Sequence, residues 1–131
     1  MTNMPPVRAA ARARAGTLAR VKQPVLGARE RAFLKSLAHG LAPVVQLGAE
    51  GISPATVAAT SAALADHELI KVRLGANFPD ERHAAAADLA ARTASAAVQV
   101  IGRVIVLYRR RERDDPKRPR IELPRGRSPR L

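Results

Sequence analysis

The sequence predicts an α/β fold, a single compact domain in which a four-stranded mixed sheet carries packed helices. Three observations point there. Short β-branched runs at residues 43–47 and 69–74 flank a stretch with helical spacing. A capped helix start, Ser53-Pro54, sits between them. Two apolar runs, 97–101 and 104–108, are separated only by Gly102-Arg103, the signature of a two-residue hairpin turn.

In chain order, the first helix is read from Phe33, Leu34, Leu37, Ala38 and Leu41 at helical spacing, with Arg31, Lys35 and His39 on the opposite face. Gly40 and Pro43 end it, and Pro43 to Leu47 is the first strand. Gly48-Ala49-Glu50-Gly51 forms a tight turn. The second helix starts at Ser53-Pro54 and runs to about His67, with Val57, Ser61 and Leu64 inward. In Leu69 to Leu74, alternation puts Ile70, Val72 and Leu74 on one face and Lys71 and Arg73 on the other. Pro79, Asp80 and Glu81 open a third helix that reaches about Thr93, with acids complementing its N-terminal dipole. The order is helix, strand, helix, strand, helix, hairpin, and strands joined through helices imply right-handed crossovers.

Charge divides the chain differently. The formal net charge is +12, which calls for an anionic partner, nucleic acid or an acidic membrane surface. Residues 1–25 hold five basic groups and no acid, and residues 109–131 hold ten basic and four acidic groups. Residues 26–108 hold eight basic and seven acidic groups and are nearly neutral. The chain therefore reads as a disordered basic N-terminal tail (1–25), a domain (26–108) and a basic Pro-rich C-terminal tail (109–131). An Arg-rich, acid-free start also fits an organelle transit peptide, although Pro5, Pro6 and Pro24 interrupt it. No run of 18 apolar residues occurs, so neither a membrane span nor a secretory core is expected. The absence of cysteine removes thiolate metal sites and thiol nucleophiles and suits a cytoplasmic location.

The Gly48–Gly51 loop is the most informative candidate site. Two glycines three apart let a phosphate chain approach the backbone, and the helix capped by Ser53 offers free N–H groups to an anion. Loops of this GxxG type clamp nucleic-acid backbones. A plain strand-to-helix turn would also need glycines. Lys35, His39 and Arg31 on the first helix, Lys71 and Arg73 on the strand, and Arg103 at the hairpin tip could contact RNA or simply solvate their faces. Enzyme signals are weak: His39, His67 and His83 lie on separate helices, with no metal-binding spacing, Walker loop or dinucleotide fingerprint. No cofactor or metal is called for. With only Phe33, Phe78 and Tyr108 as aromatic residues, base stacking on exposed rings is disfavoured, and Phe33 is expected in the core.

The stretch FLKSLAHGLAPVVQLGAEGISPATVAATSAALADHELIKVRL, Phe33 to Leu74, resembles the CRM domain (chloroplast RNA splicing and ribosome maturation), and most closely its stand-alone bacterial YhbY-like members. VQVIGRVIVLYR, Val98 to Arg109, is similar to that domain's closing hairpin, and Ile121 to Pro124 to the usual bacterial ending. The resemblance implies a fold like the C-terminal domain of bacterial translation initiation factor three, with a GxxG loop on an RNA-binding surface. It also implies association with precursor large ribosomal subunit RNA. On this chain the loop residues are Gly48, Ala49, Glu50 and Gly51, supported by Lys35 and His39. Where bacterial members often carry a basic or amide residue in the loop, this chain has Ala49 and Glu50, so Glu50 is expected to face outward and the tails to add affinity. The expectation is thus a non-enzymatic, monomeric RNA-binding protein that assists ribosome assembly. The alternative is a protein-interaction module whose basic tails bind RNA non-specifically.

Overall fold

The alternation in Leu69–Leu74 divides the molecule into layers. In the computed structural model, which describes residues 23–111 and 120–124, this segment is strand β2. Before it come helix α1 (Ala28–Ala38), strand β1 (Val45–Leu47) and helix α2 (Pro54–His67); after it come helix α3 (Arg82–Thr93) and strands β3 (Ala96–Ile101) and β4 (Val104–Tyr108). The sheet order is β1-β2-β4-β3. β1 and β2 run parallel through the α2 crossover, and β4 pairs antiparallel with both β2 and β3. The four strands form the mixed sheet expected, and the last strand inserts between β2 and β3.

On one face Ile70, Val72, Leu74, Ile105 and Leu107 meet Leu64 of α2 and Leu89 and Ala90 of α3. Small residues on α3, Ala85 and Ala86, let that helix lie close to the sheet. The opposite face holds a smaller cluster: Leu69, Val106 and Tyr108 against Leu34 and Ala38 of α1, joined by Ile121 and Leu123. Helices therefore pack on both faces of the sheet, α2 and α3 on one and α1 on part of the other.

Caps set the helix boundaries. Ser53 Oγ accepts the Thr56 N–H at 3.2 Å, and Thr56 Oγ1 accepts the Ser53 N–H at 2.8 Å, so the start of α2 is held reciprocally. The third helix begins at Arg82 rather than at Pro79, because the Glu81 carboxylate caps it by accepting the N–H groups of His83 and Ala84, both at 2.9 Å. The first strand is likewise shorter than the sequence reading, which began it at Pro43.

Two further readings are corrected. The inward stripe of α1 is Leu34 and Ala38 with Arg31 half-buried beside them, whereas Leu37 is 40% exposed and Phe33 only half-buried. The Arg31 guanidinium donates to the carbonyls of Ala97 and Val98 at 2.8 and 3.0 Å. Those carbonyls belong to a bulge in β3, where the pairing with β4 shifts between Ala97 and Gln99. Arg31 therefore braces an irregular strand instead of sharing a free face with Lys35 and His39.

Within 109–131, Arg109 to Arg111 and Arg120 to Pro124 pack on the domain. The Glu68 carboxylate, fully buried at the end of α2, accepts the N–H groups of Arg111 at 2.6 Å and Ile121 at 2.7 Å. The Arg109 guanidinium bridges Ser61 of α2 and the Thr93 carbonyl of α3. Of the basic N-terminal stretch, residues 1–22 lie outside the described residues.

Candidate nucleic-acid interface

Three loops converge at the carboxyl end of the parallel pair β1 and β2. After β1 comes the turn Gly48–Gly51, closed by the Gly51 N–H donating to the Gly48 carbonyl at 3.0 Å. After β2 comes Gly75, whose N–H donates to the Leu47 carbonyl at 2.7 Å and locks the two strand exits together. The hairpin tip Gly102-Arg103 joins them, with the Leu74 N–H on the Arg103 carbonyl at 2.7 Å and Arg82 Nη1 on the Gly102 carbonyl at 2.9 Å.

The two glycines of the turn do different work. Gly51 is buried at φ +75°, and a Cβ there would stand 3.3 Å from Pro79 Cγ. Glycine at this position is what the fold demands. Gly48 is exposed, without positive φ, and a Cβ on it would meet nothing within 4 Å. Packing gives no reason for glycine there. An open backbone beside a helix N-terminus is what an approaching phosphate needs.

Around this turn the exposed residues are Ala49, Glu50, Arg73 and Arg103, with Ser53 half-buried as the α2 cap. Arg73 lies directly across from Gln46 of β1 and Val104 of β4. A groove of about 560 Å³ is lined by Gln46, Arg73, Gly75, Ala76, Arg103 and Val104. It adjoins a second hollow of about 350 Å³ that Asp80, Glu81 and Arg82 also line. Backbone donors at His83 and the His83 ring hold the Glu81 carboxyl down at about 2, so it stays ionised as the α3 cap.

The remaining sequence-predicted residues sit elsewhere. Lys71, half-buried, is two positions back along β2 and accepts the Val44 N–H on its carbonyl. Lys35 and His39 are exposed on the last turns of α1, whose chain enters β1 at the end opposite the glycine turn. β1 has three residues, so its own two ends are about 10 Å apart. Arg31 is engaged at the β3 bulge. Sequence reasoning missed Gln46, Gly75 and Arg82, which reach the site only through strand register and loop closure. The Gly75 that follows β2 was the one available signal. Among the described residues no group of three His, Cys, Asp or Glu side chains could hold a metal, and no helix is long and apolar enough to cross a membrane.

The profile of the CRS1 / YhbY (CRM) domain matches residues 26–109. The chain belongs to this family. Stand-alone bacterial proteins share the CRM domain with it. A Haemophilus influenzae protein named RNA-binding protein is 38% identical over 100 residues, covering 76% of this chain and 96% of that relative. YqeI of Bacillus subtilis, named a probable RNA-binding protein, is 34% identical over 100 residues, covering 76% of this chain and all of YqeI. The solution structure of a candidate RNA-binding protein from Staphylococcus aureus superimposes with a TM-score of 0.62 at 38% identity, covering 76% of this chain and all of that one. The matched residues span all four strands and the Gly48–Gly51 turn.

Proposed function

We propose that this protein binds RNA through the sheet end built on Gly48–Gly51, and that its target is precursor large ribosomal subunit RNA during assembly. The observation that carries the reading is the exposed Gly48 backbone, free of any steric demand for glycine, beside Arg73 and Arg103. Names of the CRM relatives support RNA as the ligand. Phosphate lies on the turn and the N-terminus of α2, while Lys71, Lys35 and His39 extend the contact along the sheet and α1. Glu50, exposed on the turn, weakens rather than supplies phosphate contact. The basic stretches at either end add affinity that carries no sequence information. The protein acts as a monomer in the cytoplasm and without a cofactor; the domain contributes binding, not catalysis.

Co-sedimentation tests this reading. The native chain should travel with precursor large subunits in preference to mature ones, and Gly48→Asp should release it while leaving the fold intact. Equal recovery of the two proteins with precursor particles would contradict the assignment.

A further inference from the structure

Among the described residues, no helix packs over the part of the α1-side sheet face that lies next to the glycine turn. The α1 cluster covers Leu69, Val98, Val106 and Tyr108 and stops there. Beyond it a row of side chains crosses all four strands in register: Gln46 on β1, Arg73 on β2, Val104 on β4 and Ile101 on β3. Neighbouring strands lie about 4.8 Å apart, so the row is about 14 Å wide. Gln46 and Arg73 are exposed, Val104 is half-buried and Ile101 is 54% exposed. The row runs from polar to cationic to apolar, and at its polar end it meets the glycine turn.

We infer that the groove over the Gln46, Arg73 and Val104 part of this row takes one unstacked base of single-stranded RNA, with Gln46 reading the base edge. This rests on the RNA-binding reading above and adds the strandedness of the ligand and a specificity-determining residue. The groove, about 560 Å³, lies in the size range of pockets for small ligands, about 300–1,000 Å³. Its lining contains Arg73 and Arg103 and no carboxylate; Asp80 and Glu81 line only the adjoining hollow. Among the described residues Gln46 makes no side-chain hydrogen bond, and neither Arg73 nor Arg103 makes an ion pair. A guanidinium plane supplies the stacking surface that the aromatic-poor sequence lacks. An amide offers one acceptor and two donors, a set that matches the edge of adenine bidentately. Gly75 lines the groove without a side chain; a Cβ there would stand 3.2 Å from the Leu47 carbonyl oxygen and 3.7 Å from Gln46 Nε2. With the base over Arg73, its phosphate falls toward the Gly48–Gly51 turn. A base paired inside an A-form duplex cannot enter such a groove.

The test uses the full native chain, Gln46→Ala and Gly48→Asp, each titrated against short fluorescent RNA oligonucleotides of a single base type and against an RNA duplex. The basic ends contribute alike to every single strand, so a difference between bases reports the groove. The expected result is tighter binding to single strands than to duplex, adenine ranked first, and an adenine preference that falls about tenfold in Gln46→Ala. Duplex bound as tightly as single strands, or a base ranking that is absent or survives Gln46→Ala, would overturn the inference. If at the same time Gly48→Asp still weakens binding to all RNAs, the groove fails and the RNA-binding reading stands. If the native chain binds neither the oligonucleotides nor ribosomal RNA, both fail.

Discussion

The buried carboxylate of Glu68 accepts the N–H of Ile121 at 2.7 Å, joining positions 53 residues apart. Its other oxygen takes the Arg111 N–H at 2.6 Å, and Arg120 Nε lies 3.8 Å away as an ion-pair partner. One acidic side chain thus fixes both where the chain leaves β4 and where it returns, so that Ile121 and Leu123 complete the α1-side core.

Glu68→Ala should therefore lower unfolding free energy by about 2–5 kcal/mol, since it leaves two backbone donors without their acceptor. Truncation after Tyr108 should cost a similar amount, and truncation after Pro124 little. Urea denaturation of the three proteins checks this; a stable Glu68→Ala would mean that the carboxylate does not hold the return segment in place.

The two glycines of the turn separate fold from function. Gly51→Ala should lose about 1–2 kcal/mol through its left-handed backbone conformation. Gly48→Ala should stay within about 0.5 kcal/mol of the native protein. Thermal melts give both values, and equal losses would refute the distinction.

The basic residues of α1 should divide in the same way. Arg31→Ala removes two charge-assisted hydrogen bonds at the β3 bulge and should destabilise by about 1–3 kcal/mol. Lys35→Ala should leave stability unchanged and weaken RNA binding alone. Denaturation beside a binding isotherm for each variant decides it.

Tyr108 is the chain's one tyrosine, so phenolate absorbance reports it alone. Burial, and then the negative charge of Glu68, push its hydroxyl up from the ordinary value of 10.0. A raised folded-state pKa contributes stability that is complete below pH 10.0 and is lost as pH rises through the folded value. The native protein should ionise later than the same chain in denaturant, and Glu68→Gln should narrow the gap.

Much of this architecture is legible in the residues themselves. The period-two pattern of Leu69–Leu74, the Ser53-Pro54 start and the Gly102-Arg103 turn each encode their element locally. Arg31 is not legible in that way, because an arginine at helical spacing looks solvated until a strand bulge supplies its carbonyl partners. Leu37 shows the converse: its spacing fits the apolar stripe, yet it is 40% exposed. The return of Ile121 and Leu123 hides within a charged, Pro-rich stretch, and the acid that holds it lies in Asp66-His67-Glu68, an ordinary polar helix end. Gly48 and Gly51 could be picked out as a pair, but their different roles depend on Pro79. Gln46 joins the site only once parallel register sets it against Arg73.

The most direct test of the central claim is binding to large-subunit ribosomal RNA across a salt series, comparing the native chain with Gly48→Asp. Affinity falls with salt in proportion to the phosphates neutralised. The account predicts that Gly48→Asp melts like the native protein, binds at least tenfold more weakly at every salt concentration, and has a shallower slope. Coincident binding curves would contradict it, leaving the glycine turn as a piece of the fold alone.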